Sequence, residues 1–317
     1  MANVRTVRGY CGAMTPRIAL VTSAQMAIPD ADEALLLPLI PGASLVAWED
    51  DTVDWSGYDA AIVRSTWNYT DHLDDFLAWA KRVDSQTRLV NPLSVIVWNT
   101  DKRYLAQLEG AGFAVVPTIY VEPGHAAPAS SLAGRIVVKP TVGAGSKGAA
   151  LINDDAASAT RHIAVLHALG KTAMIQPYLD EVDSHGETAL VYVGGVFSHA
   201  ARKGAILSRD IESSTGLYAD EEILSTTPTA EERSLADGIV AALPLLVAGG
   251  DNLAYARIDL LPTASGPVVL EVELTEPSLF LTVDGSAPQR VAEAFVLHVA
   301  SGVSQGHTGD PKRETRL

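Results

Sequence analysis

The sequence predicts a mixed α/β protein that begins with a parallel sheet covered by helices. Three observations predict this class. Between residues 17 and 98, short apolar runs alternate with segments of helical spacing, the pattern of a parallel α/β domain. Region 173–208 is strand-rich, and residues 256–273 read as two β-like runs around a Pro/Gly-bounded turn. Between these regions GAGSKG (143–148) is followed by a strand-like run and not by a helix.

Composition sets the outer limits. With 317 residues, 47% of them hydrophobic, the chain suits two or three globular subdomains with sizeable cores. No uninterrupted apolar run is long enough to span a membrane. A net charge of −15 repels nucleic acid and anionic membranes, so neither is an expected partner. Any polyanion bound must be small and met locally by Lys and Arg. One cysteine, Cys11, excludes an internal disulfide. With no apolar run behind Arg5 and Arg8 to suggest a signal peptide, a cytoplasmic location is the expectation. Residues 1–16 and 304–317 read as tails.

The elements follow in order. Arg17–Ser23 reads as a buried strand, and the helical DEALLLPLI stops at Pro41-Gly42. Ala43–Trp48 and DAAIVRSTW (59–67) read as strands, LDDFLAWAKRV (73–83) as a helix. Ligands of such sheets lie beyond the carboxyl ends of the strands, which makes Arg64, Ser65, Thr66, Trp67 and Tyr69 candidates for substrate contact. For Trp67, structural packing is the competing reading. A helix is expected over Thr100–Gly112, strands at VVPTIYV, RIVVKP and AALIN, and helices over 155–169 and 229–248. PQRVAEAFVLHVAS predicts a C-terminal helix.

GAGSKG matches G-x-G-x-x-G, yet the dinucleotide fingerprint requires a helix after the loop. AALIN followed by two aspartates reads as a strand, so that reading fails. A strand–glycine loop–strand unit can instead fold its amides over phosphates as a flap, with Gly143, Gly145 and Gly148 allowing close approach. Lys139 ends the incoming strand and Lys147 sits within the flap, two cations placed for phosphate oxygens. An ordinary turn with solvated lysines is the alternative.

In ARIDLLPTASGPVVLEVELTEPSLF (256–280), Arg257 and Asp259 share one strand face, as do Glu271 and Glu273. If Asp259 pairs opposite Glu271, three carboxylates converge beside a guanidinium. Such a cluster is costly to keep ionised without a cation, and oxygen-only ligands suit Mg²⁺. A solvated outer face is the alternative reading.

VVKP with the flap, then MIQPYL (174–179) with Gly186-Glu187, then RID and LEVE stand in an order that resembles the ATP-grasp superfamily. The resemblance is to its glutathione synthetase and D-alanine–D-alanine ligase branch and covers about residues 17–300. It implies an N-terminal α/β substrate-side domain (17–98), a central subdomain with the flap (99–180) and a C-terminal subdomain with a Mg²⁺ site (181–303), the last two clasping ATP.

By the same resemblance, Lys102 and Lys139 contact nucleotide phosphates beneath Gly143, Gly145, Ser146 and Lys147. Gln176, Tyr178 and Leu179 form the adenine hinge; Glu187 takes the ribose hydroxyls, with Asp183 as competitor. Arg202, with Lys203 beside it, reaches the transferred phosphate, and Arg257 stabilises the transition state. Asp259, Glu271 and Glu273 are the implied Mg²⁺ ligands, although many branch members carry Asn where Glu273 stands. TEPSLF resembles a segment that contacts substrate, which makes Glu276 and Ser278 candidates.

The implied chemistry is attack of a substrate carboxylate on the γ-phosphate of ATP, then displacement of phosphate from the acyl phosphate by nitrogen. VRSTWNY and the P-T-x-x-Y entry resemble ATP-grasp proteins of antibiotic pathways, the cycloserine-forming O-ureidoserine cyclo-ligases among them. There the nitrogen belongs to the substrate itself, an amino-acid-like carboxylate. Intermolecular carboxylate–amine ligation is the second expectation. Nucleotide binding without turnover is the third, disfavoured because Arg257 and the acids are all present. Related enzymes often assemble as dimers or tetramers, which leaves a homo-oligomer open.

Overall fold

A computed structural model describes residues 15–26, 28–204 and 222–303, arranged as three sheets. The expected tails, apart from residues 15 and 16, lie outside the described residues. Strands β1 (Ile18–Thr22), β2 (Ala43–Ala47), β3 (Ala60–Ser65) and β4 (Arg88–Val90) form a parallel sheet of order β2-β1-β3-β4. Helix α1 (Ala31–Leu36) packs on the face carrying Ile18 and Leu20; α2 (Leu73–Asp84) packs on the face carrying Ala19 and Val21.

Helices α3 (Leu93–Asn99) and α4 (Tyr104–Gly110) stand where one helix over 100–112 was expected. They are separated because Lys102 donates its amide to Thr141 (2.9 Å) and Asp101 takes the Arg103 amide (3.0 Å). Strands β5 (Ile119–Val121), β6 (Arg135–Pro140), β7 (Ala150–Asn153) and β8 (Ala173–Pro177) form an antiparallel sheet of order β5-β8-β6-β7, backed by α5 (Ala156–Ala168). β6 and β7 are the arms of the glycine loop, antiparallel as the strand–loop–strand reading requires.

After the short α6 (Glu181–His185) come β9 (Glu187–Val193), β10 (Val196–Lys203), β11 (Ile223–Thr226), α7 (Ala230–Leu246), β12 (Tyr255–Leu261) and β13 (Val268–Glu273). The five strands pair antiparallel in the order β11-β10-β9-β12-β13. β4 and β11, of three and four residues, were not foreseen; such short runs carry no readable alternation.

β12 is buried along its whole length, between β9 and β13. Ala256, Ile258 and Leu260 enter a core with α4 and α7, while Tyr255, Arg257 and Asp259 take the opposite face. That face is split. Its Tyr255 end, with Val191 and Val193, packs against Val291, Phe295 and Val299 of α8 (Ala287–Val303) and against the first sheet. Its Asp259 end is polar. α8 thus seals the third sheet to the first. Asn91 strengthens the joint, donating to the Tyr255 and Leu274 carbonyls (3.0 and 2.7 Å) and accepting the Ala254 amide (2.8 Å). No helix among the described residues is long and apolar enough to cross a membrane.

Candidate functional site

The polar end of the β12 face opens into a cleft of about 340 Å³ between the sheets. β12 and β13 pair in the register expected, Asp259 opposite Glu271 and Arg257 opposite Glu273. Glu187 and Lys203 pair opposite each other on β9 and β10 and share this face. The strand ends therefore bring four acids and two cations together, with Lys102 and Lys139 facing them across the cleft.

These charges are interlocked. Arg257 makes a two-pronged contact with Asp259, both arms at 2.8 Å, contacts Glu273 through the same guanidinium, and donates to the Ser278 carbonyl (2.9 Å). Lys203 contacts Glu187 and lies 3.3 Å from Asp259. Lys102 lies 2.8 Å from Glu271 and donates to the Gly143 carbonyl (2.6 Å), which ties it to the root of the flap. Burial would raise the Asp259 pKa, but Arg257 and Lys203 hold it well below the usual range. Glu187 and Glu273 are raised, chiefly by burial. Burial works against the Lys102 ammonium too, and Glu271 more than offsets it.

The three expected metal acids thus share a face but do not form a preformed cage: among the described residues no group of three or more His, Cys, Asp or Glu could hold a metal ion. Asp259 and Glu273 are bridged by Arg257, and Glu271 turns to Lys102. The donor set still fits Mg²⁺. That ion takes one or two carboxylates and fills its remaining positions with phosphate oxygens and water, and Glu271 and Glu273 both line the cleft.

Lys139 differs from the other cations. It has no ion-pair partner among the described residues, and its pKa is lowered by burial, with Lys102 and Lys203 adding repulsion. Above it Gly143, Gly145, Ser146 and Lys147 line the cleft as the flap. Gly145, Ser146 and Gly148 have φ of 58°, 60° and 75°, so the left-handed turn falls on two glycines and a serine. The Lys147 ammonium meets Asp71 (2.5 Å). At the far wall lie Gln176, Tyr178 and Leu179; Gln176 is buried and donates to Thr118 (2.9 Å).

Several expected residues lie elsewhere. Asp183 is outside the cleft, bound to Tyr178 and Arg135 (3.0 Å). Arg202 corrects the expectation by strand geometry: adjacent residues alternate faces, so it leaves the cleft face to Lys203 and donates to the His185 carbonyl (2.9 Å). Arg64, only 1% exposed, does not reach the cleft either. It contacts Glu33 (3.1 Å) and Asp32 (3.6 Å) and donates to the Pro277 carbonyl (3.0 Å). Ser65 is bonded to Thr22, and Thr66 is fully buried. Trp67 does line the cleft, and its ring nitrogen donates to the Glu276 carbonyl (3.0 Å).

The residues missed are those that hold the loop after β13. Asp32 accepts the amides of Leu279 (2.5 Å) and Leu281 (2.9 Å). Asn99 accepts those of Leu274 (2.7 Å) and Thr275 (3.1 Å) and donates to Val272 (2.7 Å). Buried Asp and Asn side chains in amphipathic segments are the signal that could have found them. So held, Glu276 and Ser278 stand at the cleft with Tyr69.

A hinge, a glycine flap and an acid–arginine hairpin around one cleft define the ATP-grasp architecture. The family model described as D-cycloserine synthetase DcsG, N-terminal domain, matches residues 18–91. The cycloserine biosynthesis protein DcsG of Streptomyces lavendulae is 39% identical over 299 residues, 88% of this chain and 97% of that protein. The crystal structure of D-cycloserine synthetase DcsG superposes with a TM-score of 0.77 at 35% identity, covering 89% of this chain and 99% of that one. For fold alone, D-alanine–D-alanine ligase from Bacillus anthracis complexed with ATP gives a TM-score of 0.62 at 13% identity, covering 92% and 99%. The chain belongs to the DcsG family of ATP-grasp ligases.

Proposed function

We propose that this protein is an ATP- and Mg²⁺-dependent ligase that activates the carboxylate of O-ureidoserine and closes the ring of cycloserine. The observation that carries this reading is the continuous face of β10, β9, β12 and β13, which offers Lys203, Mg²⁺-compatible acids and an arginine to one cleft, with Lys102 and Lys139 facing it. Near full-length similarity to DcsG supports the particular substrate. The subdomains are then 17–98, 99–180 and 181–303, each built on one sheet.

In this reading Gln176–Leu179 hold the adenine, while Lys102, Lys139 and Lys203 neutralise the triphosphate. Glu271 and Glu273 hold the metal, with Asp259 behind them fixing Arg257. When bound between Glu271 and Glu273, Mg²⁺ would supply positive charge for the phosphate oxygens during phosphoryl transfer. Arg257 stabilises that group as the substrate carboxylate attacks it, and the flap excludes water from the acyl phosphate. Ring closure follows when the nitrogen on the substrate's side-chain oxygen displaces phosphate, and water then removes the carbamoyl group from that nitrogen as carbamate, which breaks down to carbon dioxide and ammonia. Glu187, against Lys203 on the same cleft face, is left to the ribose hydroxyls.

Phosphate release with O-ureidoserine, single amino acids and amino-acid pairs tests the reading. Turnover with O-ureidoserine alone, yielding cycloserine, is expected. Turnover only with a pair would replace cyclisation by intermolecular ligation, and none with any would remove the enzyme reading.

A further inference from the structure

The acids lining the cleft have different partners. Glu187 is held by Lys203, Glu271 by Lys102 and Glu273 by Arg257. Asp30 accepts the Asp32 amide (3.0 Å) and starts α1. Glu276 has none of these. No cation lies within ion-pair distance of it among the described residues, and its carboxyl meets only the Tyr69 hydroxyl. It is nonetheless 8% exposed. Burial moves its pKa up to about 7, against the Tyr69 hydroxyl and the more distant charges of Lys102 and Arg257. A buried carboxylate without a cation is costly, and the cost falls when a cationic ligand arrives.

The group is also rigidly placed. The Glu276 carbonyl accepts from Trp67 (3.0 Å), and its neighbours Thr275 and Pro277 are held by Asn99 and Arg64. Tyr69 is fixed by stacking on Phe76, with ring centroids 4.7 Å apart. Arg257 reaches the same loop at Ser278 (2.9 Å). The loop thus sets Glu276 near the place where Arg257 meets the transferred phosphoryl group, so an amino acid whose carboxylate is activated there has its amine within the reach of Glu276.

We propose that Glu276, oriented by Tyr69, binds the ammonium group of the substrate and restricts the cleft to carboxylates bearing a free amine. The assignment rests on the chain being a carboxylate-activating ligase. It has a chemical consequence: an amine held as ammonium against Glu276 is not a nucleophile, so the activated carboxylate is left to the nitrogen at the other end of the substrate.

The test compares O-ureidoserine with its des-amino analogue in wild type, Glu276→Gln, Glu276→Asp and Tyr69→Phe. Loss of one charge-assisted contact raises KM for O-ureidoserine about 10- to 100-fold in Glu276→Gln. The KM for ATP and the KM for the analogue stay within a few-fold, so the preference for the amine collapses. Glu276→Asp restores part of it, and Tyr69→Phe lies between. A Glu276→Gln protein that keeps the wild-type preference, or loses activity on both compounds equally, overturns the assignment. If wild type uses an amino-acid pair instead, the substrate reading falls, and the same comparison on the pair's carboxylate donor decides the role of Glu276. Should wild type turn over nothing, thermal stabilisation by the amino acid but not by its des-amino form, lost in Glu276→Gln, is the supporting result, and its absence overturns the assignment.

Discussion

The two ends of the cleft handle charge in opposite ways. At the phosphate end, Arg257, Lys102 and Lys203 are interlocked with Asp259, Glu273, Glu271 and Glu187 before any ligand is bound, and Lys139 is the cation without an ion-pair partner among the described residues. At the substrate end, Glu276 is an acid with no ion-pair partner among the described residues, its carboxyl against the Tyr69 hydroxyl. Interlocked charges keep their geometry without a ligand, because removing either partner strands the other in a buried site. Leftover charges contribute nothing to holding the fold and raise the energy of the empty site. They mark where the ligand completes the structure, an anion at Lys139 and a cation at Glu276.

The largest break in this comparison comes from the interlocked set. Arg257→Met leaves Asp259 and Glu273 without their guanidinium in a site where Asp259 is 1% exposed. A loss of about 3–5 kcal/mol in stability is expected, with turnover down by about 10²–10³-fold. Thermal melts and phosphate release measure both. A variant that stays as stable as wild type would show that the network is not interlocked in solution.

Lys139→Met should act with the opposite sign on stability. The Lys139 pKa is lowered in the fold, so the folded protein gives up this proton more readily than the unfolded chain. Below the folded pKa the charge is a net cost, and that cost is relieved as pH rises towards the unfolded value. The variant should therefore melt higher than wild type near neutral pH, with the difference shrinking in alkali. Its KM for ATP rises about 10- to 100-fold, as expected for a lost contact to a charged group. A drop in melting temperature at neutral pH would mean that Lys139 is already paired.

What could be read in the sequence follows the same division. The hairpin register and the flap were legible because both are local: two-residue alternation fixes which acids face together, and a strand after the glycines excludes a dinucleotide loop. Arg202 fell to the same rule, since Arg202 and Lys203 cannot share a face and only Lys203 stands opposite Glu187. Arg64 could not be resolved this way. Its acids come from α1, and the carbonyl it binds lies 213 residues further along, so a strand-end arginine that looks like a ligand group is a buried strut. α8 was legible as a helix, but not as the element that joins the third sheet to the first.

The smallest effect lies at the flap, where the comparison is sharpened by a charge pair that is neither buried nor left over. Lys147 meets Asp71 at 2.5 Å and Lys171 lies 3.6 Å from the same carboxyl, so the flap of the second sheet is tied to the loop leading into α2. On its other side the Gly148 carbonyl is within 2.8 Å of the His162 ring. The Lys147 and Asp71 side chains are 57% and 41% exposed, so water and salt screen them as they do not screen Arg257 and Asp259. Asp71→Asn should cost less than about 1 kcal/mol in flap closure, which raises the KM for ATP about two- to fivefold at low salt. Near 1 M salt, where screening acts over about 3 Å, wild type and variant should converge. Convergence would place this pair with ordinary surface contacts. A tenfold or larger effect that survives salt would mean that closure buries Lys147 and Asp71, and the flap would then belong with the interlocked end of the cleft.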